Sequence, residues 1–588
     1  MSRTLCSFSA VLACLTIPSF SAMRADSTSR DVGRKVPNFQ LRDARGHTVS
    51  LGDFRDKKAV VVIFIGTECP ISNGFLPRLQ ELHREFAPRG VQFLAVNSNA
   101  LDSADDVAEH ARKFAIPFPV LKDEDNRVAD DFAARRTPQA FVLDRSNIIR
   151  YSGRIDDRFG MGYQRPRPTR NDLADAIAQL LDGKPITQPS TLVAGCLIGR
   201  KSRPRSDGSI TYARDVSRIF QKNCQECHRP GQAGPMSLLT FDDAVGWSAM
   251  IREVVEERRM PPWDADPHYG TFANDRSLSD ADRATILAWL EQGTPRGDDQ
   301  DLPPAREFSQ GWTIGKPDAV FTMPKAFHVP AKMPPEGVPY QRFYVETGFS
   351  EDRWIERAEA KPGAPEVVHH IVVYVVPAGQ DFVPDDPRFQ VLAGTAPGDM
   401  PVILRPGYAK KVPAGARLVF EMHYTPSGKG QPDRSSLGLV FAKKPPQSEV
   451  LTAPIANPMF RIPPGAKNYE VEATFRFKRP GVILALMPHM HLRGKNFRYE
   501  AVYPDGKVQT LLYVPRYNFN WQSVYRLLKP LPVPAGTRVR CIAHFDNSPA
   551  NPNNPDPAKA VEWGDQTWEE MMIGWMDYAL ERDARAGR

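Results

Sequence analysis

Hydrophobic residues follow two different rhythms along the chain. Between residues 34 and 150 unbroken apolar runs alternate with stretches of helical spacing. Ala59-Val-Val-Val-Ile-Phe-Ile-Gly66 has no polar position, as in a strand covered on both faces. Leu76 to Phe86 follows with helical spacing, then a strand-like Val91-Gln-Phe-Leu-Ala-Val96, a helical Ala104 to Phe114 and a strand-like Ala140-Phe-Val-Leu143. That order predicts an α/β domain. Residues 155–175 read as a basic, Pro-containing loop, and 184–210 as a linker rich in Pro, Ser, Lys and Arg. From Tyr212 to about Gly293 the pattern is helical, with Ser279 and Asp282 placed as a capping box before Ile286, Leu287 and Leu290. An acidic linker at 296–310 follows. Beyond it, short alternating or β-rich runs at 367–376, 418–424, 469–477, 482–487 and 538–545 are separated by Pro/Gly turns, which predicts an all-β region of sandwich type.

Composition sharpens this picture. A chain of 588 residues corresponds to about three to five domains. Of its 55 prolines, 36 lie beyond residue 300, as expected where strands are short and loops many. A hydrophobic content of 41% with 25% charged residues excludes a wholly disordered chain. The net charge of +7 is mild for this length and gives no footprint for nucleic acid. Seven cysteines are too few for a disulfide scaffold. Arg3, a short apolar stretch, and Ser19, Ser21 and Ala22 form the pattern of a secretory signal peptide over residues 1–22, which predicts a periplasmic or secreted protein. Val11-Leu12-Ala13-Cys14 resembles a weak lipobox, which would place a lipid anchor on Cys14. No later run reaches the ~18 apolar residues of a membrane span.

Cys224-Gln-Glu-Cys227-His228 is a C-x-x-C-H motif. Two thiols at this spacing can bond to both vinyl groups of a haem, and the adjacent imidazole then ligates iron. A half zinc site or a plain disulfide are the competing readings, but no second C-x-x-C completes a zinc site. Residues 208–296 resemble a class I cytochrome c domain. The resemblance implies haem c, with His228 as one axial ligand of iron and Met260, before Pro261, as the other; His268 is the alternative. Such a domain needs an external electron donor.

Seven of the twelve histidines lie beyond residue 300. His369-His370, His423 and His489-Met490-His491 all fall in strand-like runs. His489 and His491, at i and i+2, share one strand face and can chelate one ion. Adjacent His369 and His370 point oppositely in a regular strand and converge only at a twist or bulge. Imidazole clusters suit copper, zinc, nickel or iron, and an added thioether favours copper(I). The order His-His, His, His-x-His and a late Glu-Met resembles the copper type II, ascorbate-dependent monooxygenases, which hydroxylate peptidylglycine or dopamine. The resemblance covers residues 312–580. It implies two jelly-roll-type β-sandwiches, at 312–448 and 449–580, and two copper ions. His369, His370 and His423 would hold an electron-transfer copper. His489, His491 and Met571 would hold the copper that meets O₂, with Met572 the alternative thioether. Ascorbate or another reductant would supply electrons. The family's peptide enzymes bind a substrate carboxylate through an Arg, an Asn and a Tyr, whose places here are taken by Met487, Ile573 and Trp575. A small uncharged or apolar substrate fits that change.

Residues 30–190 hold a third motif set: Val36-Pro-Asn-Phe-Gln-Leu41, Gly66-Thr-Glu-Cys69-Pro-Ile-Ser72 and Arg136-Thr137-Pro138. These resemble the redoxin (AhpC/TSA) branch of the thioredoxin-like fold. The resemblance implies a reactive Cys69 at a helix N-terminus, beside a cis Pro138. Ser72 stands where a second cysteine would complete C-x-x-C, which leaves Cys196 as the remaining candidate to resolve an oxidised Cys69. Together the modules read as an exported multidomain oxidoreductase: a copper-dependent monooxygenase that hydroxylates a C–H substrate with O₂, its electrons delivered through the haem. The alternative is an electron-transfer or copper/thiol redox-handling protein that inserts no oxygen.

Overall fold

The structure is a computed structural model that describes residues 31–581 apart from 161–162, 166, 202–203, 206–207, 233, 309–310, 335–336, 384–385, 387 and 397–400. The signal-peptide and lipobox readings concern residues outside this range. Among the described residues no helix is long and apolar enough to cross a membrane.

The first unit is built on a seven-stranded sheet. An interior strand, Ala59–Phe64, is buried at every residue, because it pairs in parallel with Val91–Asn97 and antiparallel with Gln139–Leu143, and both faces are covered. Val61 and Ile63 pack on one side with Leu79 of helix Pro70–Phe86. Val60, Val62 and Phe64 pack on the other with Phe132. Residues 155–175 differ from the loop expected there. They contain a short hairpin, Phe159–Gly160 with Tyr163–Gln164, and the start of helix Asp172–Leu181. The Arg/Pro-rich stretch hid a short amphipathic helix whose Leu173, Ala176 and Ile177 close the same core as Tyr151.

The second unit is a set of short helices, Ser217–Asn223, Phe241–Gly246, Ser248–Glu256 and Asp280–Glu291, around fully buried Trp289. The Trp289 indole N–H donates to Pro295 O at 3.0 Å. At the last helix Ser279 Oγ accepts the Asp282 N–H (3.0 Å), one of the two bonds expected of a capping box.

The third unit is all-β. A four-stranded sheet, in which Val368–Val376 and Arg417–Tyr424 are central, shares a core with strands Arg353–Lys361 and Ser436–Phe441. A second four-stranded sheet, with Gly494–Val502 and Arg538–Phe545 central, shares a separate core with Gly481–His489 and Ile573–Leu580. The backing strands of both cores belong to one continuous nine-stranded sheet, joined where Tyr408–Val412 runs parallel to Ser448–Ala456. The two sandwiches expected at 312–448 and 449–580 therefore share one backing sheet.

Candidate functional site

The ladder between Val368–Val376 and Arg417–Tyr424 slips register between Val368 and His370. His369 is the extra residue of this bulge, so two neighbouring imidazoles reach the same site, which a regular strand forbids. His423 lies directly opposite His370. The ring centroids of His369, His370 and His423 are 4.9–5.3 Å apart, and their ligand nitrogens all fall within 4.8 Å of one another. His369 Nδ1 lies 3.1 Å from His370 Nδ1, and the Tyr340 hydroxyl 3.3 Å from His370 Nε2. The Tyr340 ring stacks on His423 at 4.9 Å. His423 Nδ1 is buried without a hydrogen-bond partner. Burial, with repulsion from neighbouring imidazoles, holds His369 near 4 and His370 and His423 well below the ordinary 6.5. The three rings are therefore neutral, the form that ligates metal. A buried nitrogen with no partner in a neutral imidazole trio fits a bound cation, and copper is among the ions this donor set suits.

His489 ends its strand and His491 follows two residues on, with ring centroids 5.3 Å apart. His489 Nδ1 meets Gln522 Oε1 at 2.8 Å and His491 Nδ1 meets Glu569 O at 3.3 Å. Each outer bond engages Nδ1 and leaves Nε2 for a ligand, the arrangement that orients metal-binding histidines. Burial draws His489 to about 4 and His491 to about 3. Met571 lines the same cavity as His489, whereas Met572 is buried in the hydrophobic core of its sheet pair. Phe519 lies between the two histidine groups, stacked on His369 at 5.1 Å and edge-on to His491 at 5.8 Å.

Several supporting residues escaped the sequence reading. Glu570 is fully buried and accepts the amides of His491 (2.8 Å) and Arg493 (2.6 Å). Burial pushes its carboxyl up to about 8, against the opposing charge of Arg493. Arg493, only 1% exposed, donates to Asn547 Oδ1 and Trp568 O, both at 2.8 Å. The available signal was positional: a charged residue beside each ligand motif, in otherwise apolar surroundings.

A cavity of about 480 Å³ opens beside both histidine groups. His370, His489 and Met571 line it together with Met487, Ile573 and Trp575. On its wall Arg342 pairs with Glu421 at 2.6 Å and Lys410 with Asp577 at 3.5 Å, while Arg405 donates to Leu527 O at 3.0 Å.

In the helical unit, Cys224 and Cys227 are free thiols. His228 Nδ1 meets Met236 O at 3.2 Å, which leaves Nε2 for an axial bond. The unpaired thiols and the oriented imidazole fit a covalently bound haem. Met260 packs against the helical core, whereas His268 is exposed and bonded to Asp266 at 2.7 Å. The segment after Met260 leaves the helical unit and docks on the β region. Trp263 and Phe272 pack on Tyr525, at 4.9 and 5.4 Å between centroids. Leu528 N–H donates to Thr271 O and Ala273 N–H to Arg526 O, both at 2.7 Å. Ala273 and Asn274 of this segment are part of the cavity wall.

Cys69 is buried at the N-cap of helix Pro70–Phe86, and the Thr137-Pro138 bond beside it is cis. Burial opposes its ionisation, but hydrogen bonds with Cys196, Thr137 and the Ser72 amide bring the thiol below the ordinary 9.0.

The AhpC/TSA family model matches residues 32–152 and the cytochrome c model matches residues 213–294. The chain is thus a multidomain redox protein: an AhpC/TSA redoxin domain, a haem-binding cytochrome c domain and a C-terminal all-β region of several sheets. The thiol-disulfide oxidoreductase ResA of Geobacillus kaustophilus is 28% identical over 140 residues, which span 24% of this chain and 79% of ResA. The chloroplastic peroxiredoxin Q of Oryza sativa subsp. japonica is 30% identical over 129 residues, 20% of this chain and 57% of that protein. Among solved structures, an uncharacterized conserved protein from Geobacillus kaustophilus is 31% identical and aligns with 30% of this chain and 93% of its own, with a TM-score of 0.27.

Proposed function

We propose that this oxidoreductase hydroxylates a small uncharged or apolar substrate with O₂ at two copper ions held between jelly-roll-type sandwiches, with electrons entering through the cytochrome c domain. The observation that carries the reading is that the two histidine groups border one cavity, through His370 of the first and His489 of the second, and that its wall includes Ala273 and Asn274 of the segment following Met260. Bound copper supplies one-electron redox chemistry and O₂ activation. The chain supplies the rest. His369, His370 and His423 hold one ion; His489 and His491, through Nε2, and Met571, through its thioether, hold the other. Gln522 and the Glu569 carbonyl fix the tautomers of the second pair. Met487, Ile573 and Trp575 exclude water and orient an apolar group against it. Residues 263–274 bring the haem domain to the cavity wall, so reduction needs no diffusing carrier between the two units. An external donor reduces the haem, and ascorbate or another reductant can substitute for it. Export of the chain places these cofactors outside the cytoplasm.

Two results test the reading. Gln522→Leu removes the acceptor that fixes the His489 tautomer, and copper affinity at that site is expected to fall about 10- to 100-fold in a competition titration with a copper(I) chelator. Met571→Ile abolishes O₂-dependent hydroxylation in the copper-loaded chain while the triad keeps its ion. Unchanged turnover in Met571→Ile sinks the role given to this thioether.

A second reading is favoured by the matches themselves, which fall on the thiol and haem domains: the chain works as a thiol-disulfide or electron-transfer protein and its histidine cluster inserts no oxygen. Metal content separates the two. Two coppers and one iron per chain accord with the oxygenase; one copper or none accords with the second reading.

A further inference from the structure

The redoxin centre and the linker behind it carry an inference that does not depend on the metal reading. Cys69 Sγ donates to Thr137 O at 3.0 Å and accepts the Ser72 amide at 3.4 Å. The linker expected to be irregular forms the short strand Cys196–Leu197, which pairs antiparallel with Arg136–Thr137 and sets Cys196 directly opposite Thr137. The Cys69 and Cys196 thiols are hydrogen-bonded to each other.

The linker is held there from several sides. Arg136 donates to Gly195 O (2.8 Å) and to Glu253 (2.6 Å), and Glu253 belongs to helix Ser248–Glu256 of the cytochrome c domain. Ile198 N–H donates to Arg135 O at 2.8 Å, and Gly199 N–H to Asn99 Oδ1 at 3.0 Å. Gly195 has φ +147, and a Cβ on it would sit 2.0 Å from Thr137 O, so only glycine allows this approach. Cys196 and Leu197 also pack against the core of the cytochrome c domain.

A strand edge beside a nucleophilic thiol is where an extended substrate is captured by strand addition. Here that edge is filled by the chain's own linker, which presents a cysteine to Cys69, and the helix position that would otherwise supply a partner thiol is Ser72. We propose that Cys196 is the redox partner of Cys69, and that the pair closes an intramolecular disulfide that locks the linker, and the cytochrome c domain packed on it, to the redoxin domain.

The oxidant is a small disulfide, R–S–S–R. The Cys69 thiolate attacks one of its sulfurs, forming Cys69–S–S–R and releasing RS⁻, which takes up the proton lost by Cys69. The Cys196 thiolate then attacks Cys69 Sγ and releases the second RS⁻, which takes up the Cys196 proton. Two protein thiols are oxidised by two electrons, and one small disulfide becomes two thiols.

The test uses the full-length holoprotein, reduced and then exposed to oxidised glutathione. After acid quenching and denaturation, free thiols are counted with a mass-adding maleimide, the other cysteines giving a constant background. Two labels are expected to disappear from the native chain, with a Cys69–Cys196 linked peptide in the digest. Cys196→Ser is expected to trap glutathione on Cys69, and Cys69→Ser to form neither product. Full labelling of both cysteines after oxidation, or a bond joining two chains, overturns the proposal. So does closure of the native disulfide without any glutathione adduct in Cys196→Ser.

Discussion

Copper content is expected to fall by about one ion per chain when His423 is replaced by alanine, with the His489/His491/Met571 ion retained. The reason is geometric. His423 is the triad member that comes from a different strand, so it closes the site that the His369/His370 bulge opens. Its Nδ1 is buried and unpartnered, and Tyr340 stacks against its ring. Truncation leaves two imidazoles and a cavity in place of a third ligand. Elemental analysis and the copper(II) electron spin resonance spectrum of the loaded protein read the result directly. A wild-type copper content with an unchanged spectrum would show that the triad holds no ion. His328, exposed and outside the cluster, is the control residue, and its replacement is expected to leave the copper count unchanged.

Arg493→Ala is expected to destabilise the β region by about 3–5 kcal/mol, since removing one partner leaves the other groups of a buried charged network unpaired. Trp568 O loses its Arg493 donor, Asn547 Oδ1 keeps only the Asn554 amide, and Glu570 loses the cation that offsets its burial. Chemical unfolding followed by tryptophan fluorescence reports the shift. The pH dependence has a definite sign. Glu570 has a folded-state value raised to about 8 from an ordinary 4.5, so its contribution to stability is fully present below 4.5 and is lost as pH rises toward 8. Without Arg493 the carboxyl rises further, so the deficit of the variant widens above about pH 8. A constant deficit across that range would mean that the two side chains do not interact. Glu570 also holds the His491 amide, and it precedes Met571 directly, so the network lies against the proposed second copper site.

Much of this was legible in the chain itself. The buried strand Ala59–Phe64 was plain because every position is apolar, and the haem motif because its chemistry is local to five consecutive residues. The wish of His369 and His370 for one face predicted a bulge, and the ladder slips at that point. Helix Asp172–Leu181 was missed because ten residues carry little periodicity and an Arg/Pro-rich stretch precedes them. Strand Cys196–Leu197 was missed because two residues carry no period at all; it forms only because the edge at Thr137 was waiting to be paired.

The sequence by itself determined the redoxin and cytochrome c units, their order, the all-β class of the rest and the residue types able to bind metal. These depend on short-range periodicity and on motifs a few residues long. Tertiary structure alone decided that both histidine groups border one cavity, that Met571 lines it while Met572 is core, and that the segment after Met260 docks on its wall. It also decided that Cys196 meets Cys69 across a domain boundary. Each of these is a contact between residues far apart in the chain, fixed by how sheets share an edge and by which buried polar groups must find partners, and no local pattern encodes it.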